Sequence, residues 1–123
     1  MLPRYLRSQA SDPHFVFHPI TGELVQMLPM NTGGRTLRAP GVNTNTHGSV
    51  HAQVEVIAYA RNPWTDDLTP AGLDGLTRLM EFLRSWGIPD QWAHGVRPPR
   101  YPGGNVRRIQ PDQSGHFHHA GWV

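Results

Sequence analysis

The clearest pattern along the chain lies between residues 50 and 60, where Val50, Ala52, Val54, Val56 and Ala58 alternate with His51, Gln53, Glu55, Ile57 and Tyr59. A period of two predicts a strand with one apolar face. An earlier aromatic and β-branched run, His14-Phe15-Val16-Phe17-His18, predicts a second strand. Pro19-Ile20-Thr21-Gly22 follows as turn chemistry, with Gly22 able to take positive φ, and Glu23 to Leu28 read as the returning strand of a hairpin.

The pattern changes to helical spacing after Thr69. Leu73, Leu76, Met80 and Leu83 recur at intervals of three and four, joined by Leu79 and Trp86, while Asp74, Arg78, Glu81 and Arg84 take the polar side. Thr69 is the expected N-cap, Pro70 the first helical residue and Gly87 the C′ residue, with Ile88-Pro89 ending the element. Gly72 and Gly75 sit in the first turns, where each weakens a helix by up to ~1 kcal/mol relative to Ala.

Residues 1–12 read as a short helical or irregular lead-in. Residues 29–49 are poor in apolar side chains and rich in Gly, Asn and Thr, and read as a long loop with room for a short strand at Thr36-Leu37-Arg38. Residues 89–113, rich in Pro, Gly and Arg, read as loop. Hairpin, strand and amphipathic helix in this order predict an α+β or α/β sandwich.

Composition narrows the class. The chain has 123 residues, enough for one small domain, and only 37% are hydrophobic, so its core must be modest. Thirteen glycines and twelve prolines predict much irregular structure. With no cysteine, disulfide scaffolds, thiol catalysis and thiolate-bound zinc are excluded within this sequence. No apolar run approaches the roughly 18 residues of a membrane span. Met1 to Arg7 shows no apolar signal core. All eleven basic residues are arginine, but the net charge is only +2 and they are scattered, with Arg107-Arg108 the one adjacent pair. A nucleic-acid module needs a denser basic stripe, so no nucleic-acid partner is expected.

Histidine carries the candidate chemistry. There are eight, three of them at 116, 118 and 119. Neutral imidazole is a common zinc ligand, but a tetrahedral site needs donors from converging segments. His14, His18, His47 and His51 are the possible partners for the 116–119 cluster. Glu55, set in an apolar strand, could serve as a general base, or it could simply pair with an arginine or with Asn43 or Asn45. Asn43-Thr44-Asn45-Thr46 suits Asx turns and also recognition of an amide-rich ligand. No nucleophile elbow, P-loop or dinucleotide fingerprint is present.

Four segments, in order, resemble a known family. Pro13-His14-Phe15-Val16-Phe17, Ile20-Thr21-Gly22-Glu23 and Leu24-Val25-Gln26-Met27-Leu28-Pro29 look like its early hairpin. Asn43-Thr44-Asn45 followed by Ala52-Gln53-Val54-Glu55-Val56 looks like its asparagine and central-strand signature. Leu83-Arg84-Ser85-Trp86-Gly87-Ile88-Pro89 looks like its helix exit, and Ser114-Gly115-His116-Phe117-His118-His119 like its second zinc-histidine loop. The family is the zinc-dependent N-acetylmuramoyl-L-alanine amidases, related to peptidoglycan recognition proteins, with the phage endolysin branch nearest. The likeness covers most of the chain from Pro13 onward.

The resemblance implies a central mixed β-sheet flanked by helices, an α/β fold. It implies zinc as cofactor, bacterial peptidoglycan as partner, and hydrolysis of the amide between N-acetylmuramic acid and L-alanine by a zinc-activated water. Glu55 would be catalytic, His14, Asn43 and Asn45 would bind substrate, and the metal ligand would come from His116, His118 or His119. Gly115-His116 matches the family dipeptide, whereas His119 best matches the spacing to the end of the sequence and is the favoured ligand. A monomer is expected, in the host cytoplasm before lysis and then at the cell wall, or secreted without a visible signal.

Departures from the family pattern shape a second expectation. Residues 1–12 carry no counterpart of the family's first zinc histidine, no Asp-Pro-Gly motif follows His119, and Pro13 stands where some members have tyrosine. The sequence therefore reads as one partial amidase-like domain over residues 1–123, short of two ligands, with weak zinc binding or none. The alternative function is a non-catalytic peptidoglycan-binding module.

Overall fold

The structure is a computed structural model, which describes Arg4 and residues 12–34, 51–58, 64–92 and 114–116. Three short strands, β1 (Phe15–Phe17), β2 (Leu24–Gln26) and β3 (Val54–Val56), form a mixed sheet in the order β2-β1-β3. β1 pairs antiparallel with β2 and parallel with β3. One 16-residue helix, α1 (Pro70–Ser85), follows a 3-10 turn at Trp64–Asp67. This is a mixed α/β arrangement. Among the described residues, no helix is long and apolar enough to cross a membrane.

The hairpin forms where the turn chemistry put it, but its strands are shorter than the apolar pattern suggested. Gly22 lies at φ 76°, and its N–H donates to the His18 carbonyl at 2.8 Å. His18 ends β1 because its Nδ1 accepts from the backbone N–H groups of Ile20 and Thr21, at 3.2 and 3.4 Å, which turns the chain away from the sheet. The strand expected over 50–60 is likewise only Val54–Val56 within the described 51–58. It lies at the edge of the described sheet, and β1 is the middle strand. The burial pattern explains this order. Phe15, Val16 and Phe17 are all buried, so β1 is covered on both faces, whereas Glu55 and Ile57 of the alternating run are exposed.

The core lies between the sheet and α1. Register places Phe15 and Phe17 on the same face as Leu24 and Val54, and Phe15, Met30, Leu79 and Leu83 form the buried cluster with Leu24, Val54, Met80, Phe82 and Ile88 packed around it. Phe15 meets Phe82 edge to face at 5.3 Å, and Phe17 meets Trp64 in the same way at 6.0 Å.

Local signals fix both helix ends. Thr69 Oγ1 accepts from the Gly72 N–H at 3.0 Å, and Pro70 needs no N–H partner at the first position. At the other end Gly87 takes φ 84°, its N–H donates to the Arg84 carbonyl, and the Ile88 N–H donates to the Leu83 carbonyl. These two bonds make a Schellman motif, with Ile88 returning to the core beside Leu83.

The buried line of α1 differs from the expected one. It runs through Gly72, Gly75, Leu79 and Leu83, while Leu73 and Trp86 are 52% and 42% exposed. The glycines are the reason. A Cβ on Gly72 would overlap the Pro19 carbonyl, and one on Gly75 would overlap the Gly22 carbonyl. The first two turns of α1 thus lie backbone to backbone against the hairpin turn, so the line of closest approach passes through glycine and Leu73 is rotated outward. The low helix propensity of these glycines is offset by a contact that no other residue permits.

Candidate functional site

The start of the histidine-rich segment sits on the exit of α1. After the Schellman motif the chain turns through Pro89 and Asp90, and the Gln91 carbonyl accepts from the His116 N–H at 2.7 Å. Gln91 Nε2 donates to the Ser114 carbonyl at 3.2 Å, and Trp92 and His116 form a parallel bridge. Gly115 reaches this bridge at φ 127°. The imidazole Nε2 of His116 lies 3.8 Å from Asp90 Oδ1, while Arg84 holds the other carboxylate oxygen. That separation is too long for a hydrogen bond, so Nε2 is buried without a hydrogen-bond partner.

His14 occupies a different position and is fully buried. Its Nδ1 accepts from the Gln53 N–H at 3.0 Å, and its Nε2 lies 2.6 Å from the Thr32 carbonyl. An imidazole that accepts at Nδ1 must donate at Nε2, which assigns the neutral Nε2–H form. Burial pushes this imidazole below the usual histidine range, partly countered by the hydrogen bond to Thr32. One side chain thereby ties the start of β1 to the lead-in of β3 and to the loop that follows β2. With both ring nitrogens turned to the backbone, His14 acts on any ligand through the segments it holds.

Glu55 is exposed at the centre of β3, on the face shared with Val16 and Val25 by register. It is therefore open to solvent and to a ligand. His18 is committed to the hairpin turn through Nδ1. His51 is half-buried just before β3. Asn43, Asn45, His47, His118 and His119 lie outside the described residues, as do Arg38 and the strand expected at 36–38. Of the sequence candidates, then, the structure describes His14, His18, His51, Glu55 and His116.

The donor set bears on zinc directly. His116 offers an imidazole nitrogen that is buried and lacks a hydrogen-bond partner, which suits one ligand position. Among the described residues, no group of three or more His, Asp or Glu side chains could hold a metal ion. Arg84 and Asp90 were not candidates from sequence. Their only linear signal is a six-residue separation across a helix terminus, and the proximity of Asp90 to His116 appears only when the chain folds. No family model, curated protein or solved structure matches this chain.

Proposed function

We propose that this chain is an amidase-type peptidoglycan hydrolase domain, acting on the bond between N-acetylmuramic acid and the L-alanine of the stem peptide. The observation that carries the reading is the ordered set of four motifs. A small mixed sheet with one capped helix is compatible with this reading. Zinc, when bound, supplies a Lewis acid for the amide carbonyl and an activated water.

The protein's own residues have separable tasks in this reading. His116, His118 and His119 supply the imidazole ligand, with His119 favoured. Glu55, exposed on β3, accepts a proton from the attacking water, and Asn43 and Asn45 hold the amide-rich stem peptide. His14 sets the register between β1 and β3 that presents Glu55. The test is digestion of purified cell walls with added zinc, followed by separation of the products. Release of free stem peptides, abolished by a chelator and by His119→Ala, supports the reading. Cleavage of glycan strands instead overturns it.

A second reading is a peptidoglycan-binding module without turnover, in which Asn43, Asn45 and loop arginines such as Arg38 hold the muramyl peptide by hydrogen bonds and charge. Sedimentation with insoluble peptidoglycan separates the two. Binding that survives a chelator, with no product released, favours the module.

A further inference from the structure

The geometry points to Gln91 as a positioning residue for the histidine-rich segment: its carbonyl grips His116, its side-chain amide grips Ser114, and together they set the register of residues 114–116 against the exit of α1. The consequence for metal binding rests on the role proposed above for residues 116–119, whereas the clasp itself needs no metal.

Gln91 makes two hydrogen bonds to a stretch that begins 23 positions further along the chain. Its main-chain carbonyl accepts from the His116 N–H at 2.7 Å, and its Nε2 donates to the Ser114 carbonyl at 3.2 Å. With Trp92 and His116 in a parallel bridge, the neighbouring rung of a regular parallel ladder would run from the Gln91 N–H to the Ser114 carbonyl. That N–H is instead turned to the Pro89 carbonyl at 2.9 Å, and the side-chain amide stands in as the donor. The two bonds therefore close on either side of Gly115. A slip of one residue in such a pairing turns every side chain to the opposite side, so the pair of bonds selects one register for His116.

Both sides of the clasp have a fixed reference. Gln91 lies three residues beyond Ile88, which packs against the buried cluster and is tied to Leu83 by the Schellman motif. Gly115 takes φ 127°, a conformation that favours glycine. The register so set is the one that leaves the His116 Nε2 buried without a hydrogen-bond partner, and it fixes the point from which His118 and His119 follow. Gln91 and Ser114 are both exposed, so the side-chain bond competes with water and its effect is local.

The experiment uses the isotope-labelled full chain without metal and follows amide exchange at His116 and at Leu79, each corrected for its intrinsic rate. Gln91→Glu keeps the length of the side chain but replaces the donor by an acceptor, and should speed His116 exchange roughly three- to tenfold. Gln91→Lys restores a donor and should return the rate to within about twofold of the parent. Gly115→Ala should speed exchange in the same direction as Gln91→Glu. Gln26→Glu, which removes a comparable exposed bond to the Leu28 carbonyl, should leave His116 unchanged. Leu79, in the core, should be unaffected throughout.

An unchanged His116 rate in Gln91→Glu would overturn the proposal. So would Gln91→Lys exchanging as fast as Gln91→Glu, since the donor would then be irrelevant, and so would equal acceleration at Leu79, which is general destabilisation. A parallel zinc titration separates the clasp from the metal reading. Zinc affinity should fall in Gln91→Glu and recover in Gln91→Lys, against the direct effect of the new charges on a cation. If the parent takes up no zinc while the exchange pattern holds, the clasp stands and the metal reading fails. If parent and both variants bind zinc equally, Gln91 does not position the ligand.

Discussion

Replacing His14 tests the central tie of this fold. His14→Ala removes the acceptor for the Gln53 N–H and the donor for the Thr32 carbonyl, both in a region where the imidazole is fully buried. Each hydrogen bond has a net worth of about 1 kcal/mol, and a buried group left without its partner costs about 1–3 kcal/mol. The void left by the ring adds to this, so the expected loss is about 3–5 kcal/mol. That is a large share of the roughly 5–15 kcal/mol typical of small domains. His14→Asn is the informative companion, because its side-chain oxygen lies near the position of Nδ1. It should keep the Gln53 bond, lose the Thr32 bond and cost about 1–2 kcal/mol.

The assay for both variants is urea unfolding followed by tryptophan fluorescence. Acid adds a second arm. The imidazole binds its proton less readily folded than unfolded, so below the ordinary histidine value the unfolded chain takes up more protons. Stability from this group is therefore complete above about pH 6.5 and falls as the pH drops through that value toward the lower folded one, with a slope of at most about 1.4 kcal/mol per pH unit. Subtracting the His14→Asn profile from the parent profile removes the contribution of the other histidines. Alanine and asparagine variants equal to each other and within about 1 kcal/mol of the parent would refute the clamp, as would a flat difference profile between pH 7.5 and 5.

Other predictions concern α1. Gly75→Ala should destabilise the fold by about 1–3 kcal/mol despite raising helix propensity by up to ~1 kcal/mol, because the new Cβ meets the Gly22 carbonyl; a stabilised variant in thermal melts would refute the close backbone contact. Gly87→Ala has open space around its Cβ and should cost only the conformational penalty of φ 84°, about 1–2 kcal/mol. Thr69→Ala should cost about 1–2 kcal/mol in the same melts, since the hydroxyl accepts from the Gly72 N–H and donates to the Ile20 carbonyl. Leu73→Lys, at an exposed position, should stay within about 0.5 kcal/mol of the parent, and a larger loss would place Leu73 in a contact the structure does not contain.

The parts of this fold legible in the sequence are those whose causes lie within a few residues. Thr69 and Pro70 start α1 through a hydroxyl and a missing N–H, Gly87 ends it through a backbone conformation, and Pro19 to Gly22 form the hairpin turn by the same kind of local chemistry. The hairpin, the parallel-paired strand region and the helix all stand where the pattern put them. Strand length and order were not legible. Periodicity marks which residues can share a face, but β1 became the middle strand because pairing partners arrived on both sides of it, one of them from 39 residues away.

The same limit applies to individual side chains. In the sequence, Gly72 and Gly75 look like defects in a helix; only the approach of the hairpin turn makes them contacts. His14 looks like a ligand-binding residue beside a strand until Gln53 and Thr32 take both of its nitrogens. Gln91 looks like an ordinary loop residue until the chain returns with Ser114 and His116. Caps and turns are decided by backbone torsions and near neighbours, which the sequence spells out. Desolvation, close backbone approach and charge pairing depend on distances between remote segments, and those exist only once the tertiary structure has formed.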